Sequence, residues 1–309
     1  MNDEAKLLFE EQLVNWPLAK RNYAALEQVQ MKTFVIAGNT FNIQFNPVRI
    51  VSTAAKIDVQ SIRKRACFLC RENRPVEQKG IPLLEKYTLL INPFPIFPRH
   101  LTIPEVTHTP QRIEGHFTDM LELANTFDDY ILFYNGAHCG ASAPDHMHFQ
   151  AGNKGVLPFE NEWKRKRTLL RQAKRGNIWK ISDNLRTGWI LEGDDPSGLH
   201  SLFNTIYKLL PIVSEEEEPR INLLLWREEA KWIAVLFPRK THRPACFFAE
   251  GEAQLTVSPA SVDLGGVFII PREQDFEKIN PEKITRIIQE VCLDKITTEK
   301  INNRLKTQI

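Results

Sequence analysis

The residues best suited to chemistry lie in the pentad His146-Met147-His148-Phe149-Gln150. In an extended segment successive side chains alternate, so His146, His148 and Gln150 share one face and Met147 and Phe149 take the other. A strand that turns apolar groups inward and His-x-His-x-Gln outward offers imidazoles as nucleophiles or metal ligands. Just upstream, Asn135, Gly136, Gly140 and Ser142 form a small-residue loop. Glycine lets backbone amides approach phosphate oxygens, and the Asn135 amide and Ser142 hydroxyl add donors. A loop of this kind running into a histidine strand predicts a phosphate cradle beside a nucleophile.

Cys67 and Cys70 form a CxxC pair, which is redox-active, incidental, or half of a zinc site needing two more ligands. Arg49 and Lys56 precede the pair and are candidates to reach a phosphate. The basic run Lys164–Arg175 reads as a helix with Leu169, Leu170 and Ala173 inward, its charges solvated or forming a lid over substrate phosphates. The acidic stretch Glu215–Glu218 reads as a solvated loop.

On the loop and the histidine strand together, the sequence resembles the histidine-triad superfamily. The match is to its transferase branch, which includes galactose-1-phosphate uridylyltransferases and diadenosine tetraphosphate phosphorylases. Those families share Asn-x-Gly, then Gly-x-Ser, then His-x-His-x-Gln; here Asn135 and Gly136 are adjacent. The uridylyltransferase strand reads His-Pro-His-Gly-Gln, whereas Met147 and Phe149 stand here, so the phosphorylase-like enzymes match better. The resemblance implies that His148 attacks the α-phosphate of a nucleotide and that Gln150 donates to the phosphoryl oxygens. True hydrolases of the superfamily carry a third histidine where Gln150 stands. An amide cannot carry a proton, which favours handing the nucleotide to another phosphate.

The resemblance also implies a structural zinc held by Cys67, Cys70, His100 and His146, with His108 competing for a place among the ligands. The expected function is nucleotidyl transfer through a covalent nucleotidyl-His148, from a nucleotide or nucleotide-sugar to orthophosphate or a sugar phosphate. Asn135, Gly136, Gly140, Ser142, Arg49 and Lys56 are the candidate phosphate contacts. No organic cofactor, membrane or nucleic acid is expected, and an oligomer is compatible with the family. The alternatives are a hexose-1-phosphate uridylyltransferase and, from another class, a zinc-stabilised nucleotide-binding protein without catalysis.

Positioning these residues requires a sheet with covered faces. The 309 residues are 42% hydrophobic and 25% charged with net charge +2, ordinary for a globular chain and without the field of a nucleic-acid or membrane-surface protein. The acidic start, the five cysteines and the absence of a long apolar run predict a cytoplasmic protein. Residues 3–30 read as helical and split at Pro17, and Thr33–Ser52 as a hairpin turning at Gly38-Asn39. Tyr87–Asn92 and Tyr130–Tyr134 read as strands. Thr109-Pro110 reads as the opening of a helix, as does Asn280-Pro281, whose helix would close the chain. Phe97-Pro98-Arg99-His100 echoes in Phe237-Pro238-Arg239, and more faintly in Pro271-Arg272. The fold class is therefore α+β and histidine-triad-like: two related halves with antiparallel sheets flanked by helices, the second half degenerate. The expected divisions are an N-terminal helical segment (1–33), a catalytic half (34–160) and a second half (161–309) completing the sheet and the substrate site.

Overall fold

In the computed structural model, which describes residues 1–54 and 58–307, a ten-stranded antiparallel sheet spans both halves of the chain. Its strands are β3 (Gly80–Leu83), β4 (Tyr87–Ile91), β5 (His100–Pro104), β6 (Tyr130–Asn135), β7 (His148–Asn153), β8 (Arg167–Ala173), β9 (Gly176–Ile181), β10 (Trp189–Gly193), β11 (Ile221–Glu228) and β12 (Lys231–Pro238). They run in the order β3-β4-β5-β7-β6-β11-β12-β10-β9-β8. The halves meet where β6 pairs with β11, Asn135 opposite Asn222 and Phe133 opposite Leu224. A second sheet joins β1 (Gln30–Ile36) and β2 (Asn39–Phe45) to a strand from the far end of the chain, β13 (Val267–Ile270), which lies parallel to β2.

The central strands read as unbroken apolar runs because both faces of the large sheet are covered. Along β6, Leu132 and Tyr134 pack with Met147, Phe149 and Ala151 against the helices Phe117–Thr126 and Pro196–Tyr207. Ile131 and Phe133 face the opposite side, with Leu224, Trp226 and the small sheet. Each such side chain contributes roughly 1.5–3 kcal/mol by leaving water.

Local signals set several elements. Pro17 splits the N-terminal helix as expected: Trp16 is extended (φ −118°, ψ 97°) between Asn2–Asn15 and Pro17–Leu26, as the residue before a proline prefers. The first hairpin turns one residue earlier than expected, on Ala37 (φ 49°) and Gly38 (φ 73°), the left-handed pair that a tight two-residue turn requires; Asn39 already pairs with Ile36 in the ladder. Asn280 caps the helix Pro281–Val291, its side-chain oxygen accepting from Lys283 N at 2.9 Å.

Three expectations fail. The helix expected at Pro110 begins only at Phe117. The intervening chain stays irregular and runs beside the histidine segment, with Met147 N donating to Thr109 O at 2.7 Å and Gln111 N to Pro144 O at 3.1 Å. Helix Pro281–Val291 does not close the chain, since Lys295–Thr307 follows. The basic run is not a helix but a 3-10 turn and strand β8. Four of its seven charges are taken up by neighbouring acids: Arg167 by Glu192 at 2.9 Å, Arg165 by Glu162 at 2.9 Å, Arg175 by Asp195 at 3.2 Å and Lys164 by Glu228. Arg167 also stacks 3.9 Å over Trp179, so the run is a partly paired outer edge of the sheet, and none of its residues lines the cavity over the histidine strand.

Candidate active site

The registers of β5, β7, β6 and β11 build the site. Thr102 lies opposite Gln150, Gln150 opposite Phe133, and Asn135 opposite Asn222. Alternation then sets His100 and Thr102, His148 and Gln150, Asn135 and Asn222 on one face of the sheet. Their neighbours Ile131, Phe133 and Leu224 on this face are apolar, so these residues form a polar window among them. Over the window opens a cavity of about 580 Å³ whose wall includes His148, Gln150, Asn135, Gly140, Ser142 and Arg49. The loop 258–263 of the second half also lines it, through Ser258, Ala260, Val262 and Asp263.

His148 is held at three points. Its Nδ1 lies 2.8 Å from the carbonyl oxygen of His146. A carbonyl only accepts, so the neutral ring carries its proton on Nδ1 and keeps the Nε2 lone pair free. Its backbone is gripped by Gln111: His148 N donates to Gln111 Oε1 at 2.7 Å, and Gln111 Nε2 donates to His148 O at 3.0 Å and to Asn135 O at 2.9 Å. Burial lowers the His148 pKa to about 4, so the ring is neutral near pH 7 and its lone pair available. Met147 and Phe149 are fully buried in the core on the far face, as the alternation predicts. β7 begins only at His148, however, and His146 sits in the turn before it.

Asn135 is buried. Its Oδ1 accepts from Asn222 Nδ2 (2.9 Å), Ser261 N (3.0 Å) and Ser261 Oγ (2.7 Å). With the oxygen so occupied, the amide nitrogen is the end left for the cavity, and among the described residues it has no partner. Asn222 Nδ2 also donates to Cys139 O at 2.7 Å, while Arg239 donates from Nη1 to Asn222 Oδ1 and to Pro259 O (2.8 Å). The Pro-Arg echo of the second half thus ends in a buried guanidinium that fixes the loop around Asn135. Gly140 has φ +96°, and a Cβ there would lie 2.6 Å from the Ala260 side chain, so only glycine lets the two loops meet.

Gly136 does not face this cavity. Its N donates to Ile221 O at 3.1 Å, and a Cβ would lie 2.9 Å from that same oxygen, so its place is close packing against β11. Arg49 lines the cavity wall, its Nη1 donating to Phe94 O at 2.7 Å, and burial lowers its pKa to about 10. Lys56 lies outside the described residues.

The thiols gather a different ligand set from the one expected. Cys67, Cys70, His108 and His146 bring their ligand atoms within 4.8 Å of one another. Cys67 Sγ and Cys70 Sγ lie 3.3 and 3.5 Å from His146 Nδ1, and Cys70 Sγ lies 3.1 Å from His108 Nδ1. His100 is not among them. It opens β5 and His108 follows beyond its end, and at about 3.3 Å rise per residue the two stand far apart. Because His100 pairs with Gly152 and Pro104 with His148, His146 lies at the His108 end. His146 Nε2 lies 2.8 Å from Glu105 O, which places its proton there and turns the Nδ1 lone pair toward the thiols, the tautomer a metal ligand needs. His108 has Asp145 Oδ2 3.7 Å from its Nε2. The donor set, spacing and outer partners fit a tetrahedral metal.

His100 instead contacts Gln150, its Nε2 3.0 Å from Gln150 Oε1. One further residue departs from the sequence reading. Glu218, expected in a solvated loop, is buried against Tyr134 Oη (2.6 Å) and Ile113 N (2.9 Å), and burial raises its pKa to about 7. Cys139, inside the glycine loop, is fully buried, and burial pushes its thiol up to about 12, which leaves it protonated and unreactive.

Residues 8–153 match a family described as a domain of unknown function (DUF4922), and residues 163–308 match the family "GDPGP1-like, C-terminal domain". No curated protein sequence matches the chain. Among solved structures, yeast Ap4A phosphorylase Apa2 is similar at 15% identity and a TM-score of 0.59, over 89% of this chain and 96% of that one. The same yeast enzyme in complex with Ap4A is similar at 16% identity and a TM-score of 0.64, over 94% and 97%. The fold is therefore the one that the yeast Ap4A phosphorylase adopts. Among the described residues no helix is long and apolar enough to cross a membrane.

Proposed function

We propose that this protein transfers a nucleoside monophosphate through a covalent nucleotidyl-His148 to orthophosphate or a phosphorylated acceptor. The observation that carries the reading is the tethering of His148. Its Nδ1 proton is tied to the His146 carbonyl, its backbone is clamped by Gln111, and burial keeps the ring neutral. In the first step Nε2 bonds to the α-phosphorus as the bond from phosphorus to the leaving phosphate oxygen breaks. In the second step an oxygen of the acceptor phosphate attacks, and the phosphorus–nitrogen bond breaks with its electron pair returning to the ring. The transition states spread negative charge over the non-bridging oxygens. The Gln150 and Asn135 amides, the Ser142 hydroxyl, the Gly140 backbone and the Arg49 guanidinium are the groups that would meet it.

Gln150 has no ionisable group, so nothing at that position deprotonates water, whereas a phosphate arrives already anionic. This supports phosphorolysis over hydrolysis. The solved complexes of the yeast enzyme with AMP and with Ap4A support nucleotide substrates. Cys67, Cys70, His108 and His146 would hold zinc, which would cross-link the CxxC segment to the loop ahead of the histidine strand. Four protein ligands leave no open position, so the metal's part would be structural.

The reading is tested with a panel of dinucleoside polyphosphates and nucleoside diphosphate sugars, each with and without orthophosphate. At least one substrate should turn over much faster with orthophosphate, releasing a nucleoside diphosphate. Equal turnover in both arms would overturn the phosphorylase reading.

A further inference from the structure

The polarity of Gln150 can be read from its neighbours, beginning with a donor whose identity is fixed. Ile96 N–H points at His100 Nδ1 at 3.2 Å. A backbone N–H only donates, so Nδ1 accepts, and in the neutral ring the proton sits on Nε2. Nε2 lies 3.0 Å from the side chain of Gln150. A ring N–H needs an acceptor, so the atom of Gln150 facing His100 is its oxygen. Asn92 adds a second donor toward the same oxygen, its Nδ2 3.5 Å away and 2.9 Å from Thr102 Oγ1. With the oxygen turned into the sheet, both N–H bonds of Gln150 are left on the cavity side.

From this geometry we infer that His100 is the positioning residue that makes Gln150 a pure hydrogen-bond donor toward the substrate phosphate. The inference rests on the nucleotidyl-transfer reading of the site. An amide that rotated by half a turn would present its oxygen to the phosphate and repel it. The His100 bond is what separates the two orientations, and such a donor is worth most when set before the charge develops. The ring cannot turn, because it is packed edge-on to Phe97 at 5.6 Å and against Phe133 at 5.7 Å. Gly152, opposite His100 in the ladder, leaves the room that Phe97 fills: a Cβ there would lie 2.3 Å from the Phe97 ring. Tyr23 Oη anchors the His100 backbone, 3.1 Å from its carbonyl oxygen and 3.3 Å from its nitrogen. Burial lowers the His100 pKa to about 3. That suits a ring whose Nδ1 must keep accepting from Ile96.

A double-mutant cycle tests this. Single-turnover rates of His148 labelling by α-labelled nucleotide are measured for wild type, His100→Phe, Gln150→Ala and the double variant, with nucleotide affinity measured alongside. His100→Phe should slow labelling by about ten- to a hundredfold while affinity stays within about threefold, since an interaction made mainly in the transition state is lost. In the Gln150→Ala background the same change should cost less than about threefold. His100→Gln, which offers an N–H near the place of Nε2, should recover most of the rate. Multiplicative losses, or a wild-type rate for His100→Phe, would overturn the proposal. Nitrogen-15 spectra of the wild-type ring give a check that needs no variant. A neutral ring protonated on Nε2 from pH 5 to 9 is expected, and protonation on Nδ1 overturns the inference. If wild type forms no adduct, the reading of His148 fails, and the ring spectra still decide the role of His100.

Discussion

Gln111 emerges from the fold as the residue on which His148 most depends, and its removal has a consequence that can be worked out. Its one amide serves three backbone groups: it accepts from His148 N at 2.7 Å and donates to His148 O at 3.0 Å and Asn135 O at 2.9 Å, and it is buried at 1% exposure. A buried hydrogen bond contributes about 0.5–1.5 kcal/mol net, and more when its partner is left unsatisfied. Gln111→Ala should therefore destabilise the protein by about 3 kcal/mol. At roughly 2–3 °C per kcal/mol for a chain of this size, Tm should fall by about 6–9 °C. Because His148 and the start of the phosphate loop lose the same clamp, single-turnover labelling should also slow by about ten- to a hundredfold. Gln111→Glu is the sharper variant. Its carboxylate still accepts from His148 N–H but sets negative charge against two carbonyl oxygens, so its deficit should be larger at pH 8 than at pH 5. Calorimetry and rapid-quench labelling on both variants make the assay. Gln111→Ala melting within about 2 °C of wild type and labelling at the wild-type rate would refute the clamp.

Further expectations concern the metal and pH. Purified protein should carry about one zinc per chain; Cys70→Ser and His108→Ala should lower zinc content and Tm together, while His100→Gln should retain full metal. Zinc-free His100→Gln with fully loaded His108→Ala would restore the ligand set first expected. The Glu218 carboxyl, raised to about 7 by burial, binds a proton in the folded state over a range where the unfolded chain does not. Its contribution to stability is thus present below about pH 4.5 and is lost as pH rises through about 7. Glu218→Gln should accordingly gain in Tm relative to wild type at pH 8 and show little gain at pH 5, by up to about 3 kcal/mol; an equal difference at both pH values counts against it. With His148 held down at about 4, its labelling should not decline as pH is lowered from 8 to about 6, and should fall toward pH 4. A decline centred near 6.5 would mean an ordinary, solvated imidazole.

Much of the site was legible because its signals are local. The alternation Met147, Phe149 against His148, Gln150 follows from strand geometry alone, and the run Tyr130–Tyr134 announces a strand covered on both faces. Pro17 and Gly38 punctuate the chain as their backbone limits demand. What the sequence hid is set by contacts distant in the chain. Gln111 is one polar residue after a proline, and nothing nearby shows that its amide reaches two neighbouring strands; Thr109-Pro110 imitates a helix start because capping chemistry is indifferent to tertiary demand. His100 and His108 both suit a metal by residue type, and only the register of β5 on β7 tells them apart. The basic run follows helical spacing loosely, yet Arg167 finds Trp179 and Glu192 by pairing as a strand. Ser261 carries no motif, and the Pro-Arg echo at Arg239 does not tell its contacts; both act through Asn135 and Asn222, reached only when the second half closes over the first.

The central claim is that His148 becomes covalently nucleotidylated, and the intact mass of the protein reads this directly. Wild-type protein mixed briefly with a substrate nucleotide, quenched in mild base and weighed should gain the mass of one nucleoside monophosphate. The added mass should map to the peptide containing His148, be lost in acid, and disappear on addition of orthophosphate. His148→Ala should gain nothing. A wild-type protein that turns substrate over with no adduct at any time, or a His148→Ala protein that still gains the mass, would contradict the account.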